Sequence, residues 1–221
     1  MRFAAIETSG GWCSVALWLE GEIVALERRA ANRHSELVLP MLEELFRKTG
    51  TPVGRLDAVA FGAGPGAFTG LRIACGIAQG LAFARGLPVA GISSFEAIAE
   101  EAGANRVVAC IDARMHEVYY AALEKAAGRW KEVVPGQCVA PGSAPPPPGS
   151  GWVGCGSGFA AHPDFLRDSL SLARPEVHPT ALAVARLAAP RLQAGEGVDA
   201  AQALPVYLRD KVALTMEEQR R

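Results

Sequence analysis

Two stretches in opposite halves of the chain follow one plan, and that repetition limits the folds open to it. Phe3 to Ile6 is a fully apolar run ending on Glu7, and a turn through Gly10-Gly11 leads into Trp12 to Leu19, rich in aromatic and branched residues. Val107 to Ile111 ends on Asp112, turns through Ala113-Arg114-Met115, and returns along Glu117 to Leu123 with alternating apolar side chains. Strand, acidic residue, short turn and returning strand thus recur, in pattern more than in identity. The repetition predicts two α/β lobes of one design, divided near residues 100 to 106 into 1–103 and 104–221.

The chain has 221 residues, half of them hydrophobic and 20% charged, which suits a globular protein with a sizeable core. Twenty-two basic residues face 23 acidic ones, so the basic excess expected of an autonomous nucleic-acid binder is absent. Cys13, Cys75, Cys110, Cys138 and Cys155 are scattered and form no CxxC pair, so buried free thiols are expected rather than a disulfide framework or thiolate zinc site. His34, His116, His162 and His178 are isolated, without HExxH or similar spacing, and no metal site is expected. No apolar run is long enough to cross a bilayer, and Met1 to Glu7 passes almost directly into a strand. A cytoplasmic location with no membrane partner is the expectation.

From Ser35 the apolar period changes. Leu37, Val38, Met41, Leu42, Leu45 and Phe46 form one broad helical stripe, with Pro40 weakening its first turn and Gly50 and Pro52 ending it. A strand near Ala58 to Phe61 runs into a glycine-rich loop and a helix from Phe68 to about Ala84. Gly76 and Gly80, four residues apart, share one face of that helix and each gives up about 1 kcal/mol of propensity relative to alanine. Such a face ordinarily gains the close approach of another backbone. Leu87 to Ile92 reads as a strand, with Ser93 or Ser94 capping a helix that continues through Ile98. Pro135 to Gly149, containing Pro145 to Pro148, reads as an exposed excursion, Trp152 to Cys155 as a strand, and Thr180 to Leu192 as a helix with a break at Pro190. Thr215 to Arg221 is charged and expected to fray.

The strongest local signal is the loop through Gly62, Gly64, Gly66, Thr69, Gly70 and Arg72. Strand, glycine loop and helix can present amides to an anion, yet GxxxxGK[ST] is absent and GxGxxG fails at Ala67. Anion binding and a structural or interface loop both remain open, the second favoured. Glu7 and Asp112 sit at equivalent turns of the duplicated plan, where they can position a cation or water in one cleft or accept bonds from turn amides; the structural role is favoured. Ser9 and Ser14 have no histidine base nearby in sequence, and Ser94 and Ser157 lack a GxSxG elbow. No catalytic residue is assigned.

With Glu7-Thr8-Ser9, Gly62-Ala63-Gly64-Pro65-Gly66-Ala67-Phe68-Thr69-Gly70-Leu71-Arg72 and Ile111-Asp112-Ala113-Arg114-Met115, the chain resembles the bacterial TsaB family, formerly called YeaZ. Asn32-Arg33-His34-Ser35, Gly76 to Ala82 and Pro205-Val206-Tyr207-Leu208-Arg209 extend the match, in order, over nearly the whole chain. The resemblance implies an actin/Hsp70-like (ASKHA) fold of two ribonuclease-H-like lobes. It also implies a non-catalytic accessory role in placing threonylcarbamoyl on the adenosine beside the anticodon of ANN-decoding tRNAs. The implied partners are the catalytic paralogue TsaD and the ATPase TsaE, with a homodimer when TsaD is absent and tRNA contact indirect or weak. No cofactor is expected on the chain alone, and metal and ATP-derived ligands are expected in the partner complex.

The catalytic paralogue carries two metal-binding histidines four residues apart, and alignment of Gly91 to Ile98 with that motif places Ser94 and Ile98 at their positions. Isoleucine has no metal-binding atom. The family's docking surface is implied to lie on the helices after His34 and after the glycine loop, with Leu37, Met41, Leu45, Ile73 and Ile77 supplying apolar area and Gly76 and Gly80 allowing close approach. The competing readings are an independent small-molecule kinase of the same fold, disfavoured for want of paired phosphate loops and a base, and a zinc peptidase.

Overall fold

The computed structural model describes residues 1–209. The first sheet is formed by β1 (Arg2–Glu7), β2 (Trp12–Leu19), β3 (Glu22–Arg29), β4 (Ala58–Gly64) and β5 (Val89–Ser93), in the order β3-β2-β1-β4-β5. The second contains β6 (Arg106–Arg114), β7 (Glu117–Ala126), β8 (Arg129–Val139), β9 (Trp152–Cys155) and β10 (Leu170–Arg174), in the order β10-β9-β6-β7-β8. Read from its own first strand, each sheet has the same plan: two antiparallel hairpins, then two parallel additions on the other side of the first strand. The duplication seen in sequence is therefore a duplication of topology, and the fold is the two-lobed α/β arrangement that the resemblance implies.

Period-two patterning gives the first sheet two apolar faces. Ala4, Ile6, Val15, Leu17, Val59 and Phe61 point to one side, under α1 (His34–Thr49) and α2 (Phe68–Phe83). Phe3, Ala5, Ala16, Ala58, Ala60, Ala90 and Ile92 point to the other, under α5 (Ala181–Gln193). That second interface is alanine on alanine, because α5 brings Ala181, Ala185, Ala188 and Ala189 to a small-residue sheet face. The helix therefore lies close to the strands.

Between the sheets sits α3 (Ser94–Ala102), started by the Ser93 side chain accepting the Phe95 N–H and ended by left-handed Gly103. Its Ala97 packs with the α5 layer, while Phe95, Ile98, Ala99 and Ala102 join Val107, Ala109, Ala121 and Leu123 of the second sheet. One short helix is thus a wall of both cores. The opposite face of the second sheet packs Val108, Tyr120 and Trp152 against Phe165 and Phe159, the last on α4 (Gly158–Ala161).

Several elements differ from the sequence reading. The stretch 135–149 is not wholly a loop, because β8 runs through Pro135 to Val139. Proline is accommodated there since β8 is an edge strand with an irregular register against β7. β10 had no counterpart in the reading, being a short outer strand with its central residues exposed. α1 and α5 run on through Pro40 and Pro190, both on solvent-facing positions. The chain passes between lobes at Gly103, but packing does not divide there: α5 returns to contact β1, β2 and β4 of the first sheet. Thr215 to Arg221 lie outside the described residues.

Ile98 is 1% exposed in the core of the second lobe. Ile98→Ala is expected to cost about 2–5 kcal/mol of stability by removing buried methyls and leaving a cavity. Urea denaturation of the variant beside the parent chain measures it.

Candidate functional site

The glycine loop is explained by what approaches it. β1 and β4 are parallel neighbours, so the β1–β2 turn and the β4–α2 loop leave the same sheet edge side by side. Thr8 Oγ1 donates to the Gly70 carbonyl at 2.7 Å, and the Ala67 N–H donates to the Ser9 carbonyl at 2.7 Å. A Cβ at Gly66 would come within 2.6 Å of the Ser9 carbonyl oxygen, and one at Gly70 would overlap the Thr8 carbonyl. A Cβ at Gly62 would overlap the Glu7 carboxyl. Gly64 has φ +115°, and its missing Cβ makes room for the Val206 carbonyl. The glycines let two backbones and a carboxyl lie in contact.

The two turns and the second lobe enclose a cleft of about 770 Å³. One wall is Ser9 to Gly11 with Gly66 to Gly70, including Thr69, and the other is Ile111 to Met115 with Tyr119 and Ser157. Asn32, His34 and Ser35 close one side, and Tyr207 and Arg209 lie across it. His34 Nε2 lies 3.0 Å from the Gly10 carbonyl; since that oxygen can only accept, Nε2 carries the proton and ties α1 to the β1–β2 turn. The first turn of α2 has no side-chain cap, so its leading amides face the cleft without a carboxylate or hydroxyl at the N-cap.

Glu7 and Asp112 are not brought together. Asp112 lines the cleft, where its carboxylate accepts from the Arg114 N–H at 2.9 Å and pairs with the Arg114 guanidinium at 3.2 Å. Glu7 is 1% exposed behind the β1–β2 turn, with one carboxyl oxygen taking the Ser9 N–H at 2.5 Å and the other, Oε2, without a partner among the described residues. Burial pushes its carboxyl above the usual carboxylate range, against the downward pull of the Ser9 bond. Glu7 is thus a buried acid beneath the turn.

Arg72 is committed to the chain itself. Its guanidinium lies 3.8 Å over the Phe68 ring, and its Nε donates to the Tyr207 hydroxyl at 3.1 Å. Ser94 is fully buried and donates to the Ser9 hydroxyl at 3.2 Å, while Ile98 sits among apolar neighbours. Neither residue fits a metal ligand: one hydroxyl is engaged by another, and the second side chain has no lone pair. The Ser9–Ser94 pair is hydroxyl to hydroxyl and offers no base for a nucleophile.

The docking residues read from sequence separate into two groups. Met41 and Leu45 are fully buried in the first lobe's core and cannot reach a partner, which corrects their assignment to the docking surface. Leu37, Ile73 and Ile77 are half-buried at its margin. Gly76 and Gly80 are exposed, and among the described residues an added Cβ at either meets nothing within 4 Å. Sequence reasoning missed Phe83, 78% exposed on the same helix and three residues beyond Gly80. Its helical spacing from Gly76 and Gly80 was the available signal.

The family model described as TsaD, tRNA N6-adenosine threonylcarbamoyltransferase, matches residues 26–150. The tRNA threonylcarbamoyladenosine biosynthesis protein TsaB of Escherichia coli (strain K12) is 39% identical over 224 residues, covering 96% of each chain. The protein of that name from Haemophilus influenzae is 36% identical over 225 residues, covering 96% of this chain and 95% of its own. The solved structure of YeaZ from Pseudomonas aeruginosa superposes with a TM-score of 0.86 at 36% identity, over 94% of this chain and 99% of that one.

Glu7 supplies a pH test. A carboxyl raised by folding stabilises the native state fully below its unfolded pKa, and that contribution declines as pH rises toward the folded value. Glu7→Gln is therefore expected to gain stability relative to the parent chain as pH increases from 4.5 to 8, with the smallest difference at the acid end. Thermal or urea denaturation across that range reads the trend; a gap constant with pH would refute it.

Proposed function

This chain belongs to the TsaB family of tRNA threonylcarbamoyladenosine biosynthesis proteins, and on that basis we propose that it is a non-catalytic accessory subunit acting through the exposed face of α2. It docks there on the catalytic paralogue TsaD, with the ATPase TsaE joining the assembly, and on a second copy of itself when that paralogue is absent. Metal and ATP-derived ligands are contributed in the partner complex, contact with tRNA is indirect or weak, and the setting is cytoplasmic.

What supports this reading is the pair Gly76 and Gly80. Every glycine of the β4–α2 loop has a neighbour inside this chain that requires it, whereas among the described residues these two have none. Together they cost about 2 kcal/mol of helix propensity relative to alanine, without a return among the described residues. Ile73, Gly76, Ile77, Gly80 and Phe83 recur at three- and four-residue steps, forming a low, apolar strip some 15 Å long between its end residues. A partner helix seated on it would cover the exposed Phe83 and bring backbone close to backbone at the glycines.

Separating the two roles of Gly80 tests the proposal. Gly80→Ala is expected to raise the stability of the isolated chain by about 1 kcal/mol, while Gly80→Leu leaves folding intact and weakens association. The measurements are urea denaturation of the chain, its affinity for purified catalytic subunit, and threonylcarbamoylation of tRNA by the reconstituted set. Undiminished affinity and modification with Gly80→Leu would remove this face from the interface; lack of binding by the parent chain would sink the accessory role itself.

A further inference from the structure

The segment Ala203 to Arg209 runs from one lobe to the other and is bound at both ends. On the first lobe, the Ala203 carbonyl accepts from Gln79 Nε2 at 2.9 Å and from Cys75 Sγ at 3.2 Å, both on α2. The Val206 N–H donates to the Ala63 carbonyl at 2.7 Å, and the Tyr207 hydroxyl takes the Arg72 bond while its ring packs on Phe68 at 5.4 Å. Leu208 then enters the core of the second lobe. Arg209 ends the crossing on the β6–β7 turn: Nη1 donates to the Ala113 carbonyl at 2.9 Å, Nη2 donates to the Arg114 carbonyl at 3.3 Å, and the guanidinium pairs with the Glu117 carboxylate.

That turn is unusual in its backbone. Arg114, Met115 and His116 have φ of +61°, +54° and +58°, three successive non-glycine residues in the left-handed region. Each sets its Cβ against a carbonyl oxygen, and L-residues enter this region singly rather than in runs. Such a conformation persists where its surroundings over-determine it. Asp112 holds the Arg114 N–H from within the turn, and the Arg209 fork holds the turn from outside: a planar donor group can hold two carbonyls and a carboxylate at fixed angles, as a lysine ammonium cannot. The side chain is only 14% exposed.

We propose that Ala203–Arg209 is an inter-lobe strap in which Arg209 is a positioning residue, holding the β6–β7 wall of the cleft in its left-handed form and linking that form to α2. The anchors on α2 are Arg72, Cys75 and Gln79, beside the strip of Ile73, Gly76, Ile77 and Gly80. Leu204 and Val206 are exposed on the strap, 65% and 50%. The α2 surface is thus joined to a turn on the other lobe by seven residues of neither helix nor strand. The strap is complete within this chain and does not depend on the accessory role proposed above.

Amide hydrogen exchange on the full-length chain, alone in solution, tests it at both ends. Arg209→Met is expected to raise exchange at residues 113–117 about tenfold, through local opening of the turn, with the β1 and β4 amides still protected as evidence of folding. Gln79→Leu, which removes an anchor on the opposite lobe, is expected to raise exchange in the same five residues. Unchanged exchange at 113–117 in Arg209→Met would overturn the positioning role. A response to Arg209→Met but none to Gln79→Leu would reduce Arg209 to a local clip and overturn the strap. Should Arg209→Met fail to fold, Glu117→Gln takes its place at that end, with the same two readings.

Discussion

The contact on which the rest depends is backbone against backbone: Thr8-Ser9 lying on Gly66 to Gly70. It sets where α2 begins, and hence where its outer strip and its inner face fall relative to the first sheet. A methyl group at Gly70 would meet the Thr8 carbonyl, and the β1–β2 turn would have to move off the helix N-terminus. His34 fixes the other side of the same turn through Gly10. Two helices are therefore referenced to one short turn, which also forms a wall of the cleft.

Duplication supplies two cleft walls, but they are no longer equivalent. In the first lobe the acid at the strand end, Glu7, is enclosed and holds its own turn; in the second, Asp112 stays at the surface of the cleft and pairs with Arg114. The same position in the repeated plan has become an internal support in one lobe and part of an ion-paired turn in the other. The β6–β7 turn is met by Arg209, far along the chain, and the β1–β2 turn reaches the first turn of α2 through Thr8.

The first lobe was legible in sequence because its strands alternate or run fully apolar and its glycines punctuate them. Trp12–Leu19 and Phe68–Phe83 have bounds close to those read from periodicity. β10 was not legible, since Leu170–Arg174 is an outer strand whose exposed centre carries no buried alternation. The six-residue stripe of α1 showed which side of the helix is apolar, but not that Met41 and Leu45 lie at its centre and Leu37 at its edge. Buried and bordering positions on one stripe carry the same residue types. The cleft's loops were found as motifs; the crossing of Tyr207 and Arg209 over it was not, because contacts between residues this distant in sequence leave no local period.

The return of α5 to the first sheet bears on the order in which the protein can be made. Strands β1 to β5 precede the second lobe in the chain, yet the face bearing Phe3, Ala5, Ala16, Ala58, Ala60 and Ala90 receives its main cover from Ala181–Gln193, which follows that lobe. Residues 1–103 therefore do not by themselves contain the whole of the first lobe's core. During translation the alanine-rich side of the first sheet lacks its α5 cover while the second lobe is being added, and the helix that follows that lobe in the chain completes the first.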